Sequence, residues 1–277
     1  IAQRIHFLLG KLFGCGASLL PRFNARSHIC TRTLRGLRGA RMSMIFQDPL
    51  TSLNPLYTVA RQLIETIRVH LDMSEAEARA HAIGLLDRVG IPAAARRIDD
   101  YPHHFSGGMR QRVVIALALA AEPELVIADE PTTALDVSVQ SQIIDVLKEI
   151  CAERGAAVML ITHDMGVIAE TADRVAVLYA GRMAEIGPVR DVILNASHPY
   201  TSGLMASIPT LVQDTDRLVQ IPGSMPRLNA IPSGCAFNPR CNQAFERCRI
   251  EQPPLIDVAP RHAAACWLAE EETKNDG

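Results

Sequence analysis

Residues Leu125–Glu130 read LVIADE: four apolar residues followed by two carboxylates. Glu122-Pro123-Glu124 precedes the run and Pro131-Thr132-Thr133 follows it. A short, wholly apolar run between turn signals is the pattern of a strand buried on both faces, as in a parallel sheet. Open α/β sheets bind ligands at the C-terminal ends of their strands. Asp129 is therefore placed to hold Mg²⁺, directly or through water, and Glu130 to orient and deprotonate an attacking water. Taken alone, the pair also suits a helix N-terminus whose dipole two acids would offset. The neighbouring sequence has to decide.

One helix upstream stands HFSGGMRQR, His104–Arg112, directly before the apolar run Val113–Ala121. A hydroxyl and two glycines opening a helix make a turn of free backbone N–H groups that can hold an anion. Thr133-Ala134-Leu135-Asp136 follows the acid pair, and His163 closes the next apolar run in the sequence ITHD. Gln47 ends an earlier one, in FQDP. Each has a plain structural alternative: a cap, a turn, a satisfied histidine, a strand-end glutamine. Their order along one chain argues for a shared site.

The rest of the pattern is α/β. Arg41–Gln47 reads as a strand, Val59–His70 as a helix, and Ser74-Glu75-Ala76-Glu77 as a capping box opening a helix to about Val89, stopped by Gly90-Ile91-Pro92. Val139, Ile143, Leu147 and Ile150 share one helical face. Ala157–Thr162 reads as a further buried strand, and Asp173–Tyr179 as another, closed by an Ala180-Gly181-Arg182 turn. Strands alternating with helices predict a parallel sheet.

The 277 residues carry 28 Lys and Arg against 30 Asp and Glu, a net charge of −2, with 4% aromatic content. That balance argues against a nucleic-acid binder. The charge is uneven: eight bases and no acid precede Asp48. No run of about 18 apolar residues occurs, so no transmembrane helix is expected. The chain reads as cytosolic.

The motifs together resemble the ATPases of ABC transporters. FSGGMRQR is similar to their signature motif, LVIADE to the Walker B strand, TALD to the D-loop, ITHD to the switch histidine and FQDP to the Q-loop. FQDPLTSLNP, HPYTSGLMASIP (His198–Pro209) and a cysteine-bearing tail resemble the ATP-binding subunits of dipeptide and oligopeptide importers. The resemblance covers roughly residues 41–268. It implies a P-loop NTPase-like α/β domain over 41–187 with a helical insert at about 55–105, an atypical segment over 1–40, and a small extension over 188–277. It implies ATP and Mg²⁺ as cofactors, with Ser106, Gly107, Gly108, Gln111 and Asp136 contacting nucleotide. Gln47, Glu130 and His163 are implied as catalytic, and Asp129 as the metal residue. Implied partners are a second ABC ATPase subunit, the same or a sister chain, transmembrane permease subunits, and indirectly an extracytoplasmic peptide-binding protein. The implied place is the cytoplasmic face of the membrane, peripherally.

One part of the pattern is missing. A phosphate loop needs G-x-x-x-x-G-K-[ST]. Of the three lysines only Lys11 follows a glycine, and Ile5 and Leu12 stand where Gly and Ser/Thr are required. The fold class is therefore an incomplete ABC ATPase domain, and truncation or a frameshift ahead of residue 33 is the expectation. An inactive remnant, or an ATPase that maintains nucleic acid, are the alternatives to a peptide-import ATPase.

Cys235, Cys241, Cys248 and Cys266 lie in the proline-rich tail with spacing C-x5-C-x6-C-x17-C. This is not a zinc-finger spacing, and a cytosolic chain disfavours disulfides. Four thiolates suit Zn²⁺ or a [4Fe–4S] cluster, and the family resemblance tilts toward the cluster. His262 is an alternative ligand, and otherwise reads as a surface histidine.

Overall fold

The computed structural model describes residues 36–132, 137–208 and 220–270. Asp136, Pro209, Cys15, Cys30 and Lys11 lie outside them. The described residues divide into two compact units: those up to Ile45, Pro49–Ile127 and Arg154–Ala157 form the first, and those within Phe46–Asp48, Ala128–Glu153 and from Val158 on form the second.

The first unit begins with β1 (Met42–Ile45) and α1 (Pro49–Ser52). The amphipathic α2 (Val59–His70) buries Val59, Ala60, Leu63 and Ile67, one stripe of a 3.6-residue period. Thr58 caps it, accepting a hydrogen bond from Arg61 N–H. Next comes α3 (Glu75–Arg88), whose expected capping box is formed in both directions between Ser74 and Glu77. After it, Gly90 takes φ +78°, a left-handed turn that ends the helix. The short α4 (Ala94–Arg97) is held through Arg97, whose guanidinium lies 4.9 Å from the buried Phe105 ring. Then α5 (Gly107–Leu119) buries Val113, Val114, Ile115, Ala116 and Leu119. It packs against α2, α3 and β1, so the apolar run after the Ser-Gly-Gly turn is the core helix of this unit.

Three strands form one sheet in the order β1-β2-β3, with β2 at Leu125–Asp129 and β3 at Ala157–Ile161. The helix between them, α6 (Val137–Arg154), buries Ile143, Leu147 and Ile150. Register follows from the contacts. Arg41 meets Glu124 and Gln47 meets Glu130, each pair 83 residues apart. Ala157 N–H donates to the Glu124 carbonyl, and His163 meets Glu130, each pair 33 residues apart. A constant offset is what parallel strands produce.

In the second unit α7 (Met165–Thr171) leads to a hairpin of β4 (Arg174–Tyr179) and β5 (Arg182–Pro188). Ala180 and Gly181 both take positive φ, 47° and 74°, as the tight hairpin turn requires. Then come α8 (Val189–Leu194), α9 (Pro199–Ala206), α10 (Glu246–Ile250), β6 (Ile256–Ala259) and β7 (His262–Ala264). The second sheet is antiparallel, in the order β4-β5-β7-β6.

Two expectations are corrected. The run over 173–179 does not join the parallel sheet: its tight turn forces antiparallel pairing, and β5 then recruits β7 from the tail. And β3 is not fully buried, since Val158 and Ile161 are 39% and 40% exposed. Among the described residues it is the last strand of its sheet, with a strand neighbour on one side only. Among the described residues no helix is long and apolar enough to cross a membrane.

Candidate functional site

The parallel register aligns three strand ends. Because the offsets are 83 and 33, Gln47, Glu130 and His163 fall in one row. Glu130 is the centre of that row. Its Oε2 accepts a hydrogen bond from Gln47 Nε2 at 2.7 Å, and its Oε1 lies 3.3 Å from His163 Nδ1. The Glu130 backbone N–H donates to the Ile161 carbonyl at 2.8 Å, and its φ is +45°. A non-glycine residue adopts that conformation at a cost of about 1–3 kcal/mol, tolerated where neighbouring structure enforces it. Here the strand has just ended, and the left-handed turn aims the carboxylate outward. The Glu130 side chain is 26% exposed and that of His163 is 79% exposed.

Asp129, the last residue of β2, is half-buried beside it. Asp164, the residue after His163, caps α7: its Oδ1 accepts from Gly166 and Val167 N–H, and its Oδ2 from Gln140 Nε2. This cap fixes the loop carrying His163. Asp164 has no assigned role in the sequence reading, although ITHD followed by a helix is itself a capping signal. No group of three or more His, Cys, Asp or Glu among the described residues is gathered to hold a metal. Magnesium at a phosphate site needs no such cage, since one or two carboxylates with water and phosphate oxygens suffice. Asp129, a carboxylate at the end of β2, and Gln47, an amide, are of the types such a site uses.

In the first unit, Ser106 is the N-cap of α5, its Oγ accepting from Met109 N–H at 3.4 Å. Ser106 and Gly107 are exposed, and Gly108 is half-buried. Nothing stands within 4 Å of where a Cβ on Gly107 would be, so the approach to the helix N-terminus is open. Phe105, buried beneath, and Arg110, whose Nε donates to the Pro102 carbonyl at 2.9 Å, hold the turn in place. Gln111 differs from the rest of the motif: it is 2% exposed and its Nε2 has no partner among the described residues. It faces the interior of this unit, while the serine and first glycine face solvent.

Comparison with known proteins agrees with this geometry. The family model described as "ABC transporter" matches residues 24–133, starting ahead of residue 41, and that described as "Oligopeptide/dipeptide transporter, C-terminal region" matches 184–248. A Bacillus subtilis protein named dipeptide transport ATP-binding protein DppD is 44% identical over 95% of this chain and 84% of its own. The chain belongs to the ABC transporter ATPases. A Brucella melitensis protein named as a peptide import ATP-binding protein is 51% identical, over 84% of this ABC ATPase and 71% of the relative. Among solved structures, the ATP-binding cassette MJ0796, in a post-hydrolysis dimer with ADP and Pi, aligns with TM-score 0.53 and 30% identity over 59% of this chain and 69% of that one.

The tail of this ABC ATPase forms a second feature, a small cavity. Cys235, Cys241, Cys248 and Cys266 all line it, together with His198 and Trp267. Gly234 makes this possible: its φ is +67°, and a Cβ there would collide with the Cys248 carbonyl oxygen. The close approach lets Cys235 N–H donate to that same carbonyl at 2.9 Å. Burial raises the Cys235 and Cys241 thiols above their usual range and pushes Cys266 up to about 11. Beside the cavity, Tyr179, Tyr200 and Phe237 pack tilted or edge-on, with centroids 4.7–5.5 Å apart. Arg240 binds across them to the Tyr179 hydroxyl and the Ile221 and Pro222 carbonyls. No sequence signal links these residues, which come from four separate segments.

His262 is not a surface histidine. It is buried, and its Nε2 lies 2.7 Å from Oε1 of Glu185, which is 0% exposed. That carboxylate also accepts from Ser197 and His198 N–H, at 2.8 and 3.1 Å. The His262 Nε2 is engaged by Glu185 and the residue does not line the cysteine cavity, so His262 is not brought to the cysteines as an alternative ligand.

Proposed function

We propose that this ABC ATPase powers peptide import, as its named relatives are said to do, working as one of two ATPase subunits beneath membrane-embedded permeases. The observation carrying the reading is the grip on Glu130. Its two carboxylate oxygens face Gln47 and His163, at the strand ends where nucleotide binds in this fold.

In this reading Glu130 accepts a proton from the attacking water, and His163 stabilises charge developing on the transferred phosphoryl group. Asp129 and Gln47 would hold Mg²⁺, which supplies charge neutralisation on the phosphates. Ser106 and the Gly107 and Gly108 amides would hold the terminal phosphate of ATP bound to the companion subunit, favoured by the helix dipole. Asp136 would contact that companion. The open turn on α5 is the part this chain contributes to a neighbour's nucleotide. Residues 55–105 are the proposed contact with permeases, and 188–277 the proposed transporter-specific extension. The chain would sit at the cytoplasmic face of the membrane, receiving peptide indirectly from an extracytoplasmic binding protein.

The four cysteines are proposed to hold a structural metal centre, a [4Fe–4S] cluster or Zn²⁺. All four line one cavity, which supports this, but no three of them are gathered as a ligand set, so binding would have to draw the thiols together. The raised thiols would have to lose protons on binding, so affinity should climb with pH.

The test is ATP hydrolysis by this chain reconstituted with a companion ABC ATPase and permeases. Peptide-dependent turnover abolished by Glu130→Gln is the expected result. Indifference of that turnover to Glu130→Gln would overturn the reading.

A further inference from the structure

The ring of His163 meets Glu130 at 3.3 Å, and its side chain is 79% exposed. Where the imidazole stands therefore depends on the loop beneath it, and that loop is fixed at the next residue. Asp164 N–H donates to Thr162 Oγ1 at 3.0 Å, and Asp164 Oδ1 accepts from Gly166 and Val167 N–H at 2.9 and 3.2 Å. Those three partners lie within three residues of Asp164, so they shape the loop without anchoring it to another element. Asp164 Oδ2 reaches farther: it accepts from Gln140 Nε2 at 3.3 Å, across 24 residues. A carboxylate can only accept, so the Gln140 amide must turn its nitrogen toward Asp164. Gln140 lies in the opening turn of α6, an 18-residue helix whose Ile143, Leu147 and Ile150 are buried. A long helix seated on an apolar stripe is a firm support. Farther along, Lys148 Nζ lies 3.5 Å from the Glu170 carbonyl oxygen. α7 is thus tied to α6 toward both ends, and Gln140 holds the end beside His163.

We infer that Gln140 is a positioning residue for His163: its amide ties Asp164, and with it the histidine-bearing loop, to α6. This rests on the role given to His163 above. An exposed ring that must meet a developing charge needs its backbone placed closely, and a displacement of about 1 Å can cost on the order of 10²-fold in rate. Removing the tether leaves Oδ1 capping α7, so the loop keeps its local shape and loses its registration on α6. The loss falls on the transition state, which needs His163 at one spot, and not on the binding of ATP.

The experiment exchanges donor and acceptor. Gln140→Glu sets a second carboxylate against Asp164 and breaks the bond. Adding Asp164→Asn rebuilds it in reverse: the amide Oδ1 still caps α7, and its Nδ2 donates to the carboxylate introduced on α6. ATP turnover of each variant is measured in the assembled transporter, beside His163→Ala. The expected result is a kcat about 10–10²-fold lower in Gln140→Glu, with KM for ATP within about twofold of wild type, and recovery of most of that kcat in the double variant. If His163→Ala turns over like wild type, the role given to His163 fails and takes this inference with it. If His163→Ala is inactive but Gln140→Glu keeps its kcat, loses activity through KM, or is not rescued by Asp164→Asn, the inference alone is overturned. Where the carboxylate pair unfolds the chain, Gln140→Leu removes the donor without repulsion and decides the same question: its kcat falls by a like factor at unchanged KM, or Gln140 does not position His163.

Discussion

Two glutamate–histidine pairs in this ABC ATPase can be set side by side. Glu130 and His163 meet at 3.3 Å with the histidine 79% exposed. Glu185 and His262 meet at 2.7 Å with both side chains almost fully enclosed. The open pair contributes little to folding, because water already solvates both groups. The closed pair cannot lose a member without stranding a buried polar partner. The first is a reactive row left accessible at strand ends. The second joins β5, β7 and the start of α9.

The sharpest break in this comparison is Glu130→Gln. It should lower ATP turnover in the assembled transporter by about 10²–10⁴-fold, the range of a general base. The melting temperature of the purified chain should stay nearly unchanged, and a large fall would make the open pair structural. Glu185→Ala should do the reverse, costing about 3–5 kcal/mol in urea unfolding, the penalty for breaking a buried pair. It strands His262 and the Ser197 and His198 amides together. A loss below 1 kcal/mol would erase the distinction.

Acid should separate the two regions next. The folded chain holds His198 at about pKa 4, while the unfolded chain protonates it near 6.5. The unfolded state therefore binds more protons between these values. The His198 contribution is full above pH 6.5 and is lost as pH falls toward 4, on the order of 3 kcal/mol in all. Denaturant midpoints for His198→Gln should show a shallower slope across that window. The smallest effect is expected at the open turn: Ser106→Ala should cost about 1 kcal/mol of stability for its lost cap, yet impair turnover disproportionately. Equal losses in both would reduce Ser106 to a helix cap.

Most of the open region was legible before any coordinates. LVIADE, FQDP and ITHD each carry their own strand and turn signals, and the capping box at Ser74–Glu77 formed as read. The errors came where partners lie far along the chain. Asp173–Tyr179 looked like one more parallel strand because its apolar pattern does not name its neighbour. His262 looked superficial because nothing near it in sequence announces Glu185, 77 residues away. Gln111 sits within a motif of exposed residues yet turns inward, since α5 is apolar around most of its circumference.

The sequence by itself determined what depends on local backbone chemistry: helix starts, strand runs, the turn that opens α5 and the carboxylates at the end of β2. These follow from period, capping and turn propensity, which act over a few residues. Tertiary structure alone decided which strand ends share a row, which sheet receives β4, and that four cysteines and His198 face one cavity. Those choices come from burying apolar surface and satisfying polar groups across long chain separations, and short stretches of sequence carry no record of the partner.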